Sequence, residues 1–190
     1  MTMGGQGSYC LFDTDLGACG VAWSERGLVR FQLPEANRRA TEKRLQLRSP
    51  NSSAKGPPRQ VEAVIASVQR YMSGERVDFT PVALDLTGVS PFYAEIYAAA
   101  RRVGWGETAT YGDLARLAGA PGAARAVGQA MSRNPIAVII PCHRILASGN
   151  KVGGFSAFGG TVSKQRLLGL EGVRLGKASA VQQLSLSEQW

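Results

Sequence analysis

The chain has 190 residues, 44% hydrophobic and 19% charged, which suits one substantial core or two modest ones and excludes a largely disordered chain. Lys and Arg number 22 against 14 Asp and Glu, and the surplus of +8 favours a polyanionic partner, leaving nucleic acid and an anionic membrane surface both open. The longest apolar run, residues 136–140, falls far short of the roughly 20 residues a spanning helix needs, and residues 1–7 lack the basic start and apolar block of a secretion signal, so an intracellular, cytoplasmic protein is expected.

Along the chain, residues 9–12, 20–23 and 28–33 read as strands, the last two joined by the turn Ser24-Glu25-Arg26-Gly27, which makes a β-meander. Residues 49–59 hold three prolines, three serines and a glycine and mark a solvated loop. Val61, Val64, Ile65 and Val68 stand at helical spacing within residues 61–72, and residues 77–86 return to strand-like alternation. Residues 1–85 therefore read as a strand-rich α+β domain with an antiparallel sheet. Three cysteines are too few and odd in number for a disulfide framework, and Cys10 and Cys19, in strand-like surroundings, are assigned to core packing. With His143 the single histidine, ligands for a metal are scarce, and neither metal nor cofactor is expected.

Ser90 suits an N-cap with Pro91 at the first helical position, so a helix is expected to about Gly104, with Phe92, Ile96 and Ala99 or Ala100 along one face. Thr110 and Asp113 form a capping-box pattern that opens a helix over 111–118, and residues 119–122 turn the chain into a second over 123–132. Two short helices with a tight turn suggest a helix-turn-helix, a pattern shared with many bundle fragments. Ala124, Val127 and Met131 lie at i, i+3 and i+7 and can face a core, leaving Arg125, Gln129 and Ser132 roughly opposite. Ala123, Ala126 and Gly128 let that surface approach a backbone or groove closely; a solvated arginine on an Ala-rich helix fits the spacing equally well. The expected organisation is a mainly helical domain over 86–175, followed by a tail over 176–190.

Residues 136–140 end in Pro141-Cys142-His143-Arg144, a thiol with an imidazole and a guanidinium next in sequence. Cationic neighbours or a helix N-terminus lower a thiol pKa from about 8.5 and make the thiolate available as nucleophile. Adjacency alone does not bring side chains together, so a structural cysteine and a satisfied histidine stay open on spacing. Orienting an imidazole takes a carboxylate, and Glu171 follows the helical stretch 164–170. Residues 149–160 contain Gly153-Gly154 and Gly159-Gly160, a loop whose bare backbone suits close approach to a planar ligand, or an ordinary surface loop.

Taken together, Thr110-Tyr111-Gly112-Asp113-Leu114-Ala115, Ala123-Ala124-Arg125-Ala126-Val127-Gly128, Arg133-Asn134-Pro135, Ile139-Ile140-Pro141-Cys142-His143-Arg144 and Leu167-Leu168-Gly169-Leu170-Glu171-Gly172 resemble the O6-alkylguanine-DNA alkyltransferase family in order and spacing. The resemblance covers about residues 90–172; residues 1–85 match in general layout, and the stretch from Phe155 to Lys164 is longer than in many members.

The resemblance implies a monomeric protein that repairs double-stranded DNA carrying O6-alkylguanine, and possible action on O4-alkylthymine. It implies DNA contacts from Arg125, Ala124, Gln129 and Ser132, with Arg125 filling the space left by an extruded nucleotide. It makes Cys142 the acceptor, His143 its base through a water, Glu171 the group orienting His143, and Asn134 and Arg144 supports of the site. Tyr111 is implied to contact the flipped base and Lys164 to assist guanine as leaving group. The chemistry is coherent: a thiolate displaces the alkyl group, donors stabilise charge on the departing base, and the thioether allows one turnover per molecule. Competing readings are a lesion-binding protein without transfer, which Cys142 opposes; a helix-turn-helix regulator, which leaves Asn134, His143 and Glu171 unexplained; and a cysteine hydrolase.

Overall fold

The structure is a computed structural model and describes residues 7–149 and 151–174, so the expected tail over 176–190 lies outside the described residues. The described residues fall in two compact units, one within 7–88 with 135–139, the other within 89–134 with 140–174.

In the first unit, β1 (Gly7–Thr14), β2 (Gly17–Ser24) and β3 (Gly27–Gln32) form the expected meander. Its sheet has the order β3-β2-β1-β4, and β4 (Ser52–Ala54) pairs parallel to β1, so the sheet is mixed where an antiparallel one was expected. The Pro- and Ser-rich stretch thus supplies an edge strand as well as a loop. Helix α1 (Arg38–Arg48), which hydrophobic periodicity does not announce, is capped by Asn37, whose side chain accepts from Ala40 N at 2.9 Å. Leu45 of α1 packs with Tyr9 and Ala22 from one face of the sheet. Phe12 and Phe31 meet at 6.2 Å between centroids.

Helix α2 (Arg59–Met72) buries Val61 and Val68 while Val64 and Ile65 stay half-buried. Residues 77–86 do not form the expected strand; they cross in turns, touching β3 through a parallel bridge between Leu28 and Leu84. Pro81 and the Asp85–Thr87 turn, in which Asp85 accepts from Thr87 N at 3.1 Å, interrupt the extended run. The apolar run 136–140 is broken by a turn: Val138 has φ 70°, and Ile139 N donates to Ala137 O at 2.9 Å, closing a γ-turn.

In the second unit, α3 (Pro91–Arg101) starts at Ser90, whose hydroxyl accepts from Tyr93 N. Its buried positions are Ile96, Tyr97, Ala99 and Ala100, whereas Phe92, expected on that face, is 40% exposed in the first turn. Strand β5 (Ala109–Thr110) leads into α4 (Tyr111–Leu117), whose capping box is formed in full by Thr110 and Asp113. Helix α5 (Ala124–Ser132) follows and is tied to α3 by Tyr97 Oη donating to Ala130 O at 2.9 Å. A 3₁₀ turn (Cys142–Arg144) precedes β6 (Ile145–Leu146), and α6 (Thr161–Leu170) closes the unit. Among the described residues no helix is long and apolar enough to cross a membrane.

Candidate active site

A short parallel ladder assembles the site. Ala109 pairs with Ile145 and Thr110 with Leu146, so Tyr111, opening α4, comes beside the 3₁₀ turn that carries Cys142, His143 and Arg144. Helix α6 packs on that turn, and through Leu168 against Leu146 on β6, and brings Lys164 and Glu171 to it. The sequence places these residues up to 60 positions apart (Tyr111 to Glu171), and local strand pairing together with one helix joins them.

Cys142 is 7% exposed. Pro141, at φ −80° and ψ 63°, forms an inverse γ-turn in which Cys142 N donates to Ile140 O at 2.8 Å, turning the thiol off the end of the apolar run. Asn134 holds the other lone pair of that carbonyl, its Nδ2 donating to Ile140 O at 2.8 Å. Burial pushes the Cys142 thiol above its ordinary range. A hydrogen bond from Asn134, the Lys164 ammonium and the backbone N–H groups of residues 142 and 143 pull the other way. The cations expected beside the thiol from sequence do not act on it: His143 is neutral and Arg144 is turned to Glu171, the acting cation is Lys164, and desolvation outweighs it, so the resting group is a thiol and needs a base.

His143 is fully buried, and its Nε2 lies 2.8 Å from Glu171 Oε1. Burial lowers the imidazole below its usual range despite the carboxylate, which makes it neutral near pH 7. A neutral imidazole facing a carboxylate donates from Nε2, so Nδ1 is the nitrogen able to accept a proton. Burial alone would raise Glu171, but His143 and Arg144 overcome it and hold the carboxylate down at about 2.

Arg144 explains how so buried a carboxylate stays charged. Its Nε donates to both carboxylate oxygens at 2.9 and 3.2 Å, its Nη2 to Oε1 at 2.9 Å, and its Nη1 to Val103 O at 2.6 Å. Gly106 N adds a fourth donor at 3.2 Å to Oε2. Charge-assisted bonds of this kind exceed neutral ones in strength. Val103 and Gly106 were not singled out from sequence; both act through backbone atoms, which no side-chain motif announces.

Lys164 is buried with Nζ donating to Ile145 O, 6.0 Å from the centroid of the Tyr111 ring. Desolvation lowers its ammonium to about 8, a shift that Cys142 opposes. Tyr111 is half-buried, and burial together with Cys142 raises its phenol. Gly153 at φ 67° lies against that phenol: a Cβ there would sit 3.4 Å from Tyr111 Oη, so the loop approaches the site with bare backbone.

On α5, Arg125, Gln129 and Ser132 are exposed and Ala124 is half-buried, while Val127, Ala130 and Met131 are buried. The Ser132 hydroxyl turns back to Gln129 O at 2.8 Å. Cys19 is fully buried, as expected for packing, whereas Cys10 is only half-buried. Among the described residues no group of three or more His, Cys, Asp or Glu is placed to hold a metal ion.

A buried thiol followed in the same 3₁₀ turn by a buried imidazole, which is itself held by an anchored carboxylate, is the arrangement of a candidate cysteine-reactive site. Residues 91–173 match the DNA binding domain of 6-O-methylguanine DNA methyltransferase and residues 8–86 its ribonuclease-like domain, and the chain belongs to this family. It is 42% identical over 114 residues to the methylated-DNA–protein-cysteine methyltransferase of Mycolicibacterium paratuberculosis, covering 60% of this chain and 67% of that protein. The protein of the same name from Methanosarcina acetivorans is 34% identical over 164 residues, 86% of this chain and 97% of its own length. Among solved structures, Mycobacterium tuberculosis OGT in complex with DNA superimposes with a TM-score of 0.70 at 32% identity, covering 86% of this chain and 92% of that one.

Proposed function

We propose that the protein repairs DNA by direct reversal, taking the alkyl group of O6-alkylguanine onto Cys142 Sγ in a single irreversible event. The observation that carries the proposal is the buried series Cys142, His143, Glu171 and Arg144, in which the thiol and the imidazole share one 3₁₀ turn and the Glu171–Arg144 pair holds the imidazole in one tautomer. His143 Nδ1 takes the thiol proton through a water. The thiolate then attacks the alkyl carbon; the S–C bond forms as the C–O6 bond breaks, and the electron pair passes to the guanine. Tyr111 contacts the base, and Lys164, still largely protonated at neutral pH, favours the thiolate and the developing negative charge. Asn134 supports the thiolate. The product is a thioether, which has no easy hydrolytic route back, so each molecule acts once.

Because a base inside a duplex is out of reach of a buried thiol, the substrate must be flipped, at a cost of a few kcal/mol. The exposed face of α5 supports this: Arg125 extends from its first turn with the small Ala124 beside it and Gln129 and Ser132 along the helix. We assign to Arg125 the filling of the vacated stack and to the others contacts with the backbone. Residues 86–175 carry the reaction, and the protein acts as a monomer in the cytoplasm on double-stranded DNA.

The test is intact-protein and peptide mass spectrometry after mixing with excess duplex containing one O6-methylguanine. One added methylene mapped to Cys142, absent in Cys142→Ala, is expected. Binding of the lesion duplex without mass gain overturns transfer in favour of recognition alone.

A further inference from the structure

Helix α1 concentrates the positive charge of the first unit. Five of its residues are basic and one is acidic, whereas the rest of that unit holds six basic and eight acidic side chains. Its exposed positions are Arg38, Arg39, Lys43, Gln46, Leu47 and Arg48, four of them basic and none acidic. The single acid, Glu42, is turned toward the sheet and accepts from Tyr9 Oη at 3.0 Å. Arg38 is committed to Asp13 at 2.6 Å and Arg44 to Glu35 at 3.1 Å, while Arg39, Lys43 and Arg48 join no ion pair among the described residues.

At the N-terminal end this arrangement works against the stability of the helix, whereas Arg48 in the last turn suits its dipole. Its first turn carries two arginines and no acid, the reverse of what the helix dipole favours, and only Arg38 of the two is in an ion pair. Arg39 and Lys43 are like charges at i, i+4, an unfavourable pair on a helix surface. Neither penalty serves the core, which α1 reaches through Leu45 and Thr41 on its other side. The basic groups stand on a fixed scaffold, about 6 Å apart along the axis for Arg39 and Lys43, and offer point charges without patterned acceptors. That chemistry fits a repeating line of phosphates.

We propose that the outward face of α1, through Arg39, Lys43 and Arg48, is a DNA-phosphate-binding surface separate from the lesion site, holding the protein on duplex irrespective of sequence or damage. The proposal rests on the action on DNA proposed above. The experiment compares full-length wild type with the double variant Arg39→Gln, Lys43→Gln, both exposed positions, by fluorescence anisotropy on long undamaged duplex across a potassium chloride series. Each lost phosphate contact lowers the slope of log K against log salt by about 0.9, so a fall of about 1.8 is expected. The rate with free O6-benzylguanine, which needs no duplex, stays at the wild-type value. The charge-preserving variant Arg39→Lys, Lys43→Arg restores the slope. An unchanged slope, or an equal loss on free base, overturns the proposal, as does a variant that loses affinity for poly-glutamate while keeping it for DNA. If wild type gains no mass from lesion duplex, the repair reading fails whatever the slope; if it gains mass and the slopes agree, only the α1 surface fails.

Discussion

Cys142 sets a conflict between access and reactivity. Burial raises its pKa, so at neutral pH most molecules hold a thiol, and the rate of alkylation is expected to climb with pH above neutrality. Asn134 opposes that shift by hydrogen bonding to the sulfur; Asn134→Ala is predicted to move the rising limb of Cys142 alkylation by iodoacetamide to higher pH. A limb that stays in place removes Asn134 from thiolate stabilisation. Glu171 acts one group further out, fixing the tautomer of His143. Glu171→Gln keeps the shape but offers Nε2 a weaker and ambiguous partner, and it is expected to lower the alkylation rate with both lesion duplex and free O6-benzylguanine while lesion binding stays nearly intact. Equal rates for variant and wild type would contradict the positioning role.

At the scale of elements, α5 joins core packing on one side to an exposed arginine on the other. Arg125→Ala is predicted to slow reaction with lesion duplex far more than with free O6-benzylguanine, since only the duplex requires flipping. Equal losses on the two substrates would remove the finger role. In the first unit, β3 is joined to residues 83–85 by Leu28 N donating to Ala83 O at 3.0 Å and Asp85 N to Leu28 O at 2.8 Å. Gly27 allows that approach: its φ is 141°, and a Cβ would lie 2.5 Å from Ala83 O, a backbone atom that cannot swing away. Gly27→Ala is expected to destabilise by about 2 kcal/mol or more. Gly74→Ala, also at positive φ but with no atom within 4 Å of the added carbon, should cost only about 1 kcal/mol. Matching losses in denaturant titrations of the two variants would mean that backbone conformation alone matters.

For the molecule as a whole, both units carry a carboxylate held below its ordinary range. Burial alone would raise Asp85, but hydrogen bonds from Ser24 and Thr87 with the Arg26 charge lower it from 3.8 to about 2; Glu171 falls from 4.5 to about 2 against its own burial. A folded pKa below the unfolded one contributes stability that is complete above the unfolded value and lost as pH falls through the folded value. Thermal stability is therefore expected to decline between about pH 4.5 and 2, and Glu171→Gln should flatten the part of the decline that Glu171 contributes. Identical pH profiles for variant and wild type would place the acid sensitivity elsewhere.

The sequence by itself determined the local pieces whose physics is local. Ser90 and Thr110 cap their helices because a hydroxyl reaches an amide three residues on, and the meander follows from alternation and a glycine turn. The Pro-Cys-His-Arg run and its resemblance named the thiol, imidazole and carboxylate. Only the tertiary structure decided the rest. Residues 77–86 have a strand's alternation, but Pro81 and the hydrogen-bonded turns at Asp78 and Asp85 break it, so they turn; Ser52–Ala54 has a loop's composition but an open edge of β1 to pair with. Helix α1 reaches the core through little more than Thr41 and Leu45, too few positions for periodicity to reveal. The direction of the Cys142 shift was beyond spacing for a similar reason: adjacent cations predict a lowered pKa, and only burial, a property of the whole packed unit, reverses the sign.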